Sequence, residues 1–353
     1  MDRTEWMLND DQLREWLDGL IEGGNDVVAP VEEDGVLLFR ALAAAQAAVI
    51  EPSGKTRWSP KEFLFPKTES LYHYDFSGTK VQLEDPKGPD RPQILFGVRS
   101  CDASGLVRLD EIFLSGTRDP LYAARRANTT VVSIGCGAAD PECFCTAVGG
   151  SPVGQEGVDV QLVPLGDEWL LRVLSDRGEQ LVGDSGTSWQ EAQDGAAKAA
   201  EVEKVVSGQI ERSPVNKEWS QVLEDGFEHG AWDRLAQHCL GCSVCAYICP
   251  SCSCFDMNHE ANAWGGDQKR TWDACTFPLF THHASGHNPR SSKQERYRQR
   301  VLHKFAFREE DDDPFRCVGC GRCIALCPAG LDIVSTVAAA VEAIREEGAD
   351  AAR

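Results

Sequence analysis

The feature that most constrains this chain occurs twice: CLGCSVCAYICP at residues 239–250 and CVGCGRCIALCP at residues 317–328. Both read C-x2-C-x2-C-x3-C-P. Three closely spaced thiolates can wrap one corner of a four-iron, four-sulfide cube while their backbone amides face its sulfides. The fourth cysteine then falls on the helix that follows, out of reach of that cube. In two-cluster modules with this run, the fourth cysteine ligates the other cluster. The spacing therefore assigns Cys239, Cys242, Cys245 and Cys327 to one [4Fe–4S] cluster, and Cys317, Cys320, Cys323 and Cys249 to a second. Zinc knuckles share the C-x2-C element, but the added x3-C-P, present in both runs, favours iron and sulfide.

The chain carries 15 cysteines, eleven of them between Cys239 and Cys327. An odd count in a sizeable chain argues against a disulfide framework and for metal or redox use. The opening MDRTEWMLNDDQLREW has neither a basic n-region nor an apolar h-region. No apolar run approaches the ~18 residues that span a bilayer, so a cytoplasmic protein without membrane insertion is expected. A net charge of −21 argues against a nucleic-acid partner, because phosphate binding wants a basic surface. Neither a P-loop nor a G-x-G-x-x-G turn is present; Gly54-Lys55-Thr56 lacks the earlier glycine that a P-loop needs.

Ahead of the cysteine runs the pattern is that of an α/β domain. NDDQLREWLDGLIEGG opens on a capping residue, sets Leu13, Trp16, Leu17, Leu20 and Ile21 on one helical face, and stops at Gly23-Gly24. DVVAPVEEDGVLLFRAL predicts two strands about an Asp34-Gly35 turn. Residues 51–92 read as loop with short strands, DVQLVPLGDEWLLRVL as a hairpin, and WQEAQDGAAKAAEVEKVV as a helix. PQILFGVRSCD and TTVVSIGCG are buried-type strands that end near Cys101 and Cys136. In open α/β sheets, sites gather beyond the carboxyl ends of strands. Cys101 and Cys136, with Cys143 and Cys145 of PECFCTA, could hold a third cluster, or could be small buried hydrophobes. Cys252, Cys254 and Cys275 are alternative ligands for such a site, and Arg99 and Asp102 flank it as a ligand pocket or an ion pair.

Between the runs, SSKQERYRQRVLHKF is basic for so acidic a chain, and EEDDD follows it. It reads either as a solvated loop of mixed charge or as a strap whose Lys293, Arg296, Arg298, Arg300 and Lys304 neutralise cluster charge. KEWSQVLEDGFEHGAWDRLAQH leads helically into the first run, and STVAAAVEAIREEG closes the chain as a helix. His282, His283 and His287 lack carboxylates at matched spacing and read as loop or core.

In this order, LFGVRSCDASGLVRLDEIF, GCGAADPECFCTAVGG, CSCFD, TWDACTF, SGHNPR, RYRQRVLHKF and CVGCGRCIALCPAGLDI resemble a family of iron–sulfur electron-transfer subunits. Its members include the anaerobic sulfite reductase A subunit, the beta subunit of cytoplasmic sulfhydrogenases, and subunits of flavin oxidoreductase complexes linked to heterodisulfide reductase. The likeness runs from about residue 27 to 333, and departs at GVRSCD, where the family often has a proline before the cysteine. The resemblance implies a relay subunit of a multi-subunit anaerobic oxidoreductase. It would pass electrons between an FAD- and NAD(P)H-binding flavoprotein and a catalytic or further iron–sulfur subunit. The alternative is a catalytic oxidoreductase subunit with its own site at the N-terminal cysteines. The expected fold class is α+β. An N-terminal α/β-type domain (1–216) precedes an elaborated, mostly helical two-[4Fe–4S] ferredoxin-like domain (217–353).

Overall fold

The computed structural model describes residues 4–51, 53–86, 88–183, 189–212, 215–307 and 313–351. In chain order the first elements are β1 (Glu5–Asn9), α1 (Asp10–Glu22), β2 (Asp26–Glu33), β3 (Val36–Ala41), β4 (Thr68–Ser77), β5 (Lys80–Glu84) and β6 (Gln93–Val98). Then come α2 (Ser100–Phe113), α3 (Pro120–Ala127), β7 (Thr129–Ile134), β8 (Val160–Pro164), β9 (Glu168–Val173), α4 (Asp176–Gly183), β10 (Gln190–Glu191) and α5 (Gly195–Ser207). The remainder is α6 (Glu218–Asp225), α7 (Ala231–Leu235), α8 (Val244–Tyr247), β11 (Phe255–Ala261), β12 (Gly265–Trp272), α9 (Lys293–Phe305), α10 (Arg322–Ala325) and α11 (Ile333–Ala351).

By compactness the chain forms two units. One comprises Met1–Phe65, Lys87–Thr146 and Gly150–Glu211; the other comprises Pro66–Pro86, Ala147–Gly149 and Arg212–Arg353. The β4–β5 hairpin therefore belongs with the C-terminal part, an excursion that a single sequence boundary near 216 does not describe.

The first unit is built on an eight-stranded sheet of order β10-β1-β9-β8-β7-β6-β2-β3. Its centre is parallel (β2 with β6, β6 with β7, β7 with β8), and its flanks are antiparallel. β7 and β8 are buried at every residue, as strands covered on both faces must be. α1 starts on a capping box: the Asn9 side chain accepts from the Gln12 amide at 2.9 Å, and Gln12 Oε1 accepts from the Asn9 amide at 3.0 Å. Its apolar stripe, Leu13, Trp16, Leu17 and Leu20, is buried, with Trp16 edge-on to Phe96. Asp34 and Gly35 both take positive φ, 51° and 72°, as a two-residue turn matched to strand twist requires. The helix read from WQEAQDGAAKAAEVEKVV begins later than its pattern suggests. Gln190–Glu191 pair with β1 instead, and Asp194, left-handed at φ 57°, sets the start of α5.

The second unit adds a four-stranded antiparallel sheet of order β11-β12-β4-β5 to its helices, which the cysteine spacing did not foresee. Tyr72, Phe76, Val81, Leu83 and Met257 remain exposed on this sheet. The helical segment before the first run is split at Gly226–Gly230 into α6 and α7, and α11 packs on both. α9 opens on a second capping box, Ser292 with Glu295. It is no solvated loop: Arg296, Arg298, Arg300 and Lys304 are all buried on it. Of EEDDD only Asp313 lies within the described residues.

Candidate metal centre

The two cysteine runs fold as copies of one another. In the first, Gly241 (φ 65°) precedes the second cysteine and Ser243 (φ 63°) follows it; in the second run Gly319 (65°) and Gly321 (73°) occupy the same places. Each loop then enters a one-turn helix, α8 or α10, and these two helices lie against each other. Alternating left- and right-handed residues turn successive backbone N–H groups toward one side, a concavity that suits anions and iron–sulfur clusters. The Gly241 amide accordingly donates to Cys239 Sγ at 3.4 Å, and the Leu331 amide to Cys327 Sγ at 3.3 Å. A left-handed conformation costs a non-glycine residue on the order of 1–2 kcal/mol. Ser243 is held there by a buried 2.6 Å hydrogen bond between its hydroxyl and that of Thr276.

Cys239, Cys242 and Cys245 line a single cavity, and Cys327 of the other run reaches into the same cavity, with Thr276, Tyr297 and Arg300 also on its wall. Cys323 touches its edge. Cys317 and Cys323 are pushed up by burial, Cys317 to about 12, and Cys249 and Cys320 add to both shifts through their charge. Cys249, Cys317, Cys320 and Cys323 thus form a second neighbourhood of thiols. Among the described residues no three His, Cys, Asp or Glu side chains close on one point as ligands of a single ion would. Cys239, Cys242, Cys245 and Cys327 instead line a cavity, as ligands of a group larger than an ion must.

Two cations from α9, one turn apart, face these thiols. Arg300 donates through Nη2 to the Cys245 carbonyl at 2.9 Å and sets Nη1 3.8 Å from Cys252 Sγ. Lys304 Nζ donates to the Ser251 hydroxyl at 2.9 Å and to its carbonyl at 3.3 Å. Burial opposes their charge, yet Cys245 and Cys252 beside Arg300, and Cys249 and Cys252 beside Lys304, hold both pKa values above the ordinary range. Cys252, Cys254 and Cys275, read from sequence as alternative ligands for an N-terminal site, sit in the second unit. There interaction with Cys249, with burial adding, pushes the Cys252 thiol up, and interaction with Cys254, with burial adding, pushes the Cys275 thiol up.

In the first unit, Cys101 is the second residue of α2, directly beyond β6, and Cys136 lies just beyond β7. The loop that follows returns Cys143 and Cys145 to them. Burial pushes the Cys136 thiol up, with Arg99 and Lys55 opposing and Cys143 adding; it pushes Cys145 up to about 12, with Cys136 and Cys143 adding. Lys55 joins them: its Nζ lies 3.1 Å from Cys143 Sγ and 2.7 Å from Asp140 Oδ2, and its charge acts on Cys101 and Cys136 as well. Arg99 donates to the carbonyls of Glu51, Ser53 and Gly54 at 2.6, 2.9 and 3.1 Å, and so staples down the loop that carries Lys55. Asp102 is fully buried. Sequence reasoning met Lys55 only as part of a failed P-loop; nothing local signals its place, because 88 residues separate it from Cys143.

Residues 238–331 match the 4Fe-4S dicluster domain family. The chain is 30% identical over 333 residues, 94% of its length and 96% of the relative's, to the protein named sulfhydrogenase 2 subunit beta of Pyrococcus furiosus. Among the described residues no helix is long and apolar enough to cross a membrane.

Proposed function

The chain belongs to the iron–sulfur subunit family that includes the sulfhydrogenase beta subunits, and from that premise we propose that it is an electron relay with two [4Fe–4S] clusters. Cys239, Cys242, Cys245 and Cys327 hold one cluster; Cys317, Cys320, Cys323 and Cys249 hold the other. The observation that carries this reading is the cavity shared by three cysteines of the first run and the last cysteine of the second. It is the interleaving that the x3-C-P spacing demands. When bound, such clusters supply reversible one-electron storage. The polypeptide's part is to fix their spacing, cap their sulfur atoms with amides from the two glycine-shaped loops, and balance their charge with Arg300 and Lys304. On either side of the relay stand an FAD- and NAD(P)H-binding flavoprotein and a catalytic or further iron–sulfur subunit. A relative named as a subunit of a sulfhydrogenase supports membership of such an assembly.

The test is Cys317→Ser in the assembled complex. It removes one cluster and stops electron transfer between the two partner subunits, while each partner's half-reaction with an artificial donor or acceptor continues. Full-rate transfer in that variant refutes the relay assignment.

A further inference from the structure

We propose that Cys101, Cys136, Cys143 and Cys145 form a third iron–sulfur site, a four-thiolate cradle for a [4Fe–4S] cluster with Lys55 as its built-in counter-charge. Topology delivers the first two thiols. β6 and β7 are parallel neighbours, so their carboxyl ends open on the same side of the sheet, where such sheets place their ligands. β6 does not run straight to its end: the register shifts between Phe96 and Val98, at Gly97 with φ 75°. A bulge of this kind re-aims the residues that follow, here Arg99, Ser100 and Cys101. An alanine Cβ at Gly97 would sit 2.8 Å from Pro30 Cδ, so the bulge is built around a missing side chain.

The other two thiols come from the loop after β7. The Cys136 amide bonds to the Pro152 carbonyl at 3.0 Å and the Cys143 amide to the Asp140 carbonyl at 2.9 Å, so both thiols are carried on anchored backbone. Gly150 lies where a Cβ would approach the Cys145 carbonyl to 3.3 Å, which lets the chain double back on Cys145.

The electrostatics select the occupant. A four-thiolate group carries several negative charges, and burying them needs opposed charge at short range. Lys55 supplies it at 3.1 Å from Cys143, and Arg99, 6% exposed, adds a second cation. Lys55, ion-paired to Asp140, also faces Cys101 and Cys143, so its charge is placed to balance an anionic group held by these thiolates. Zinc would draw its four sulfurs to ~2.3 Å of one point, and the experiment below separates it from iron and sulfide. An iron–sulfur cluster is larger and takes more widely set thiolates.

The measurement is iron and acid-labile sulfide per full-length chain purified without oxygen, with EPR spectra of the dithionite-reduced protein. The proposal expects about twelve irons in the wild type. Cys136→Ser and Cys143→Ser should each fall to about eight irons, with the signals of the C-terminal pair unchanged. Lys55→Gln should keep the iron and shift only the third signal's potential, downward, which covers the case in which a cysteine variant fails to fold. About eight irons in the wild type, unchanged in Cys136→Ser, would overturn the proposal, as would zinc bound at these cysteines. The two-cluster reading is tested separately by Cys317→Ser. Loss of iron in that variant, with none lost in Cys136→Ser, sinks the third site and leaves the relay intact; the converse sinks the relay and leaves the third site.

Discussion

Arg300 spans the two halves of the C-terminal thiol field: its Nη2 holds the Cys245 carbonyl at 2.9 Å while its Nη1 lies 3.8 Å from Cys252 Sγ. At 3% exposure it cannot be screened by solvent, and the carbonyl contact fixes where its charge sits. A fixed cation beside an electron carrier stabilises the reduced, more negative form. On the proposed relay reading, Arg300 therefore sets potential as well as packing.

Arg300→Gln should lower the reduction potential of the nearer cluster. One unit charge at about 7 Å with an effective dielectric near 20 amounts to about 2 kcal/mol, on the order of 100 mV for one electron. Arg300→Lys, which keeps the charge, should recover most of it. EPR-monitored redox titration of both variants, at unchanged iron content, checks this; identical potentials in all three proteins would refute it.

The crossed ligand sets make a prediction that sequence neighbours would not. Cys327→Ser should produce the same spectroscopic loss as Cys239→Ser, although 87 residues lie between those positions and Cys327 belongs to the other run. Cys249→Ser should instead match Cys317→Ser. If each serine variant removed the cluster of its own run, the interleaving would be wrong.

The dicluster character of the C-terminal part was legible, matching the 4Fe-4S dicluster domain family over residues 238–331, because the ligands of a cluster must be spaced in a way few other sites share. The strand ends at Cys101 and Cys136, the cap of α1 and the Asp34-Gly35 turn were legible for a similar reason, since each rests on contacts within a few residues. What sequence could not supply is long-range. Lys55 joins Cys143 only through the folding of the sheet. The β4–β5 hairpin pairs with β12 across nearly 200 residues of chain. Composition leaves the basic stretch at 293–304 open between a solvated loop and a strap, yet α9 buries Arg296, Arg298, Arg300 and Lys304, and only the folded chain brings thiols beside Arg300 and Lys304. Glycine-rich breaks also hid from the periodicity: α6 and α7 read as one helix until Gly226 and Gly230 divide them.

Gly97→Ala should destabilise the first unit and loosen the thiols at the end of β6. The residue is at φ 75° and its new Cβ would meet Pro30 Cδ at 2.8 Å, so strain and overlap act together. A cost of about 2–3 kcal/mol is expected. Denaturant titration of the purified chain measures it. Gly97→Ser should be no better, whereas a surface glycine such as Gly88, with open space around it, should accept alanine within about 0.5 kcal/mol.

Stability should fall on mild acidification through His303. Burial, reinforced by Lys304 and Arg316, lowers its pKa from 6.5 to about 4. Between those values the unfolded chain binds a proton that the folded chain refuses. The neutral imidazole therefore contributes its full stability above about pH 6.5, and the contribution is lost as pH falls toward 4. From pH 7 to pH 5 the loss is up to about 2 kcal/mol. His303→Gln, which never ionises, should show a smaller drop in denaturation midpoint over the same range, with the two proteins converging in pH response above 7. Parallel pH profiles would mean that folding leaves the His303 pKa unshifted, and would refute this account.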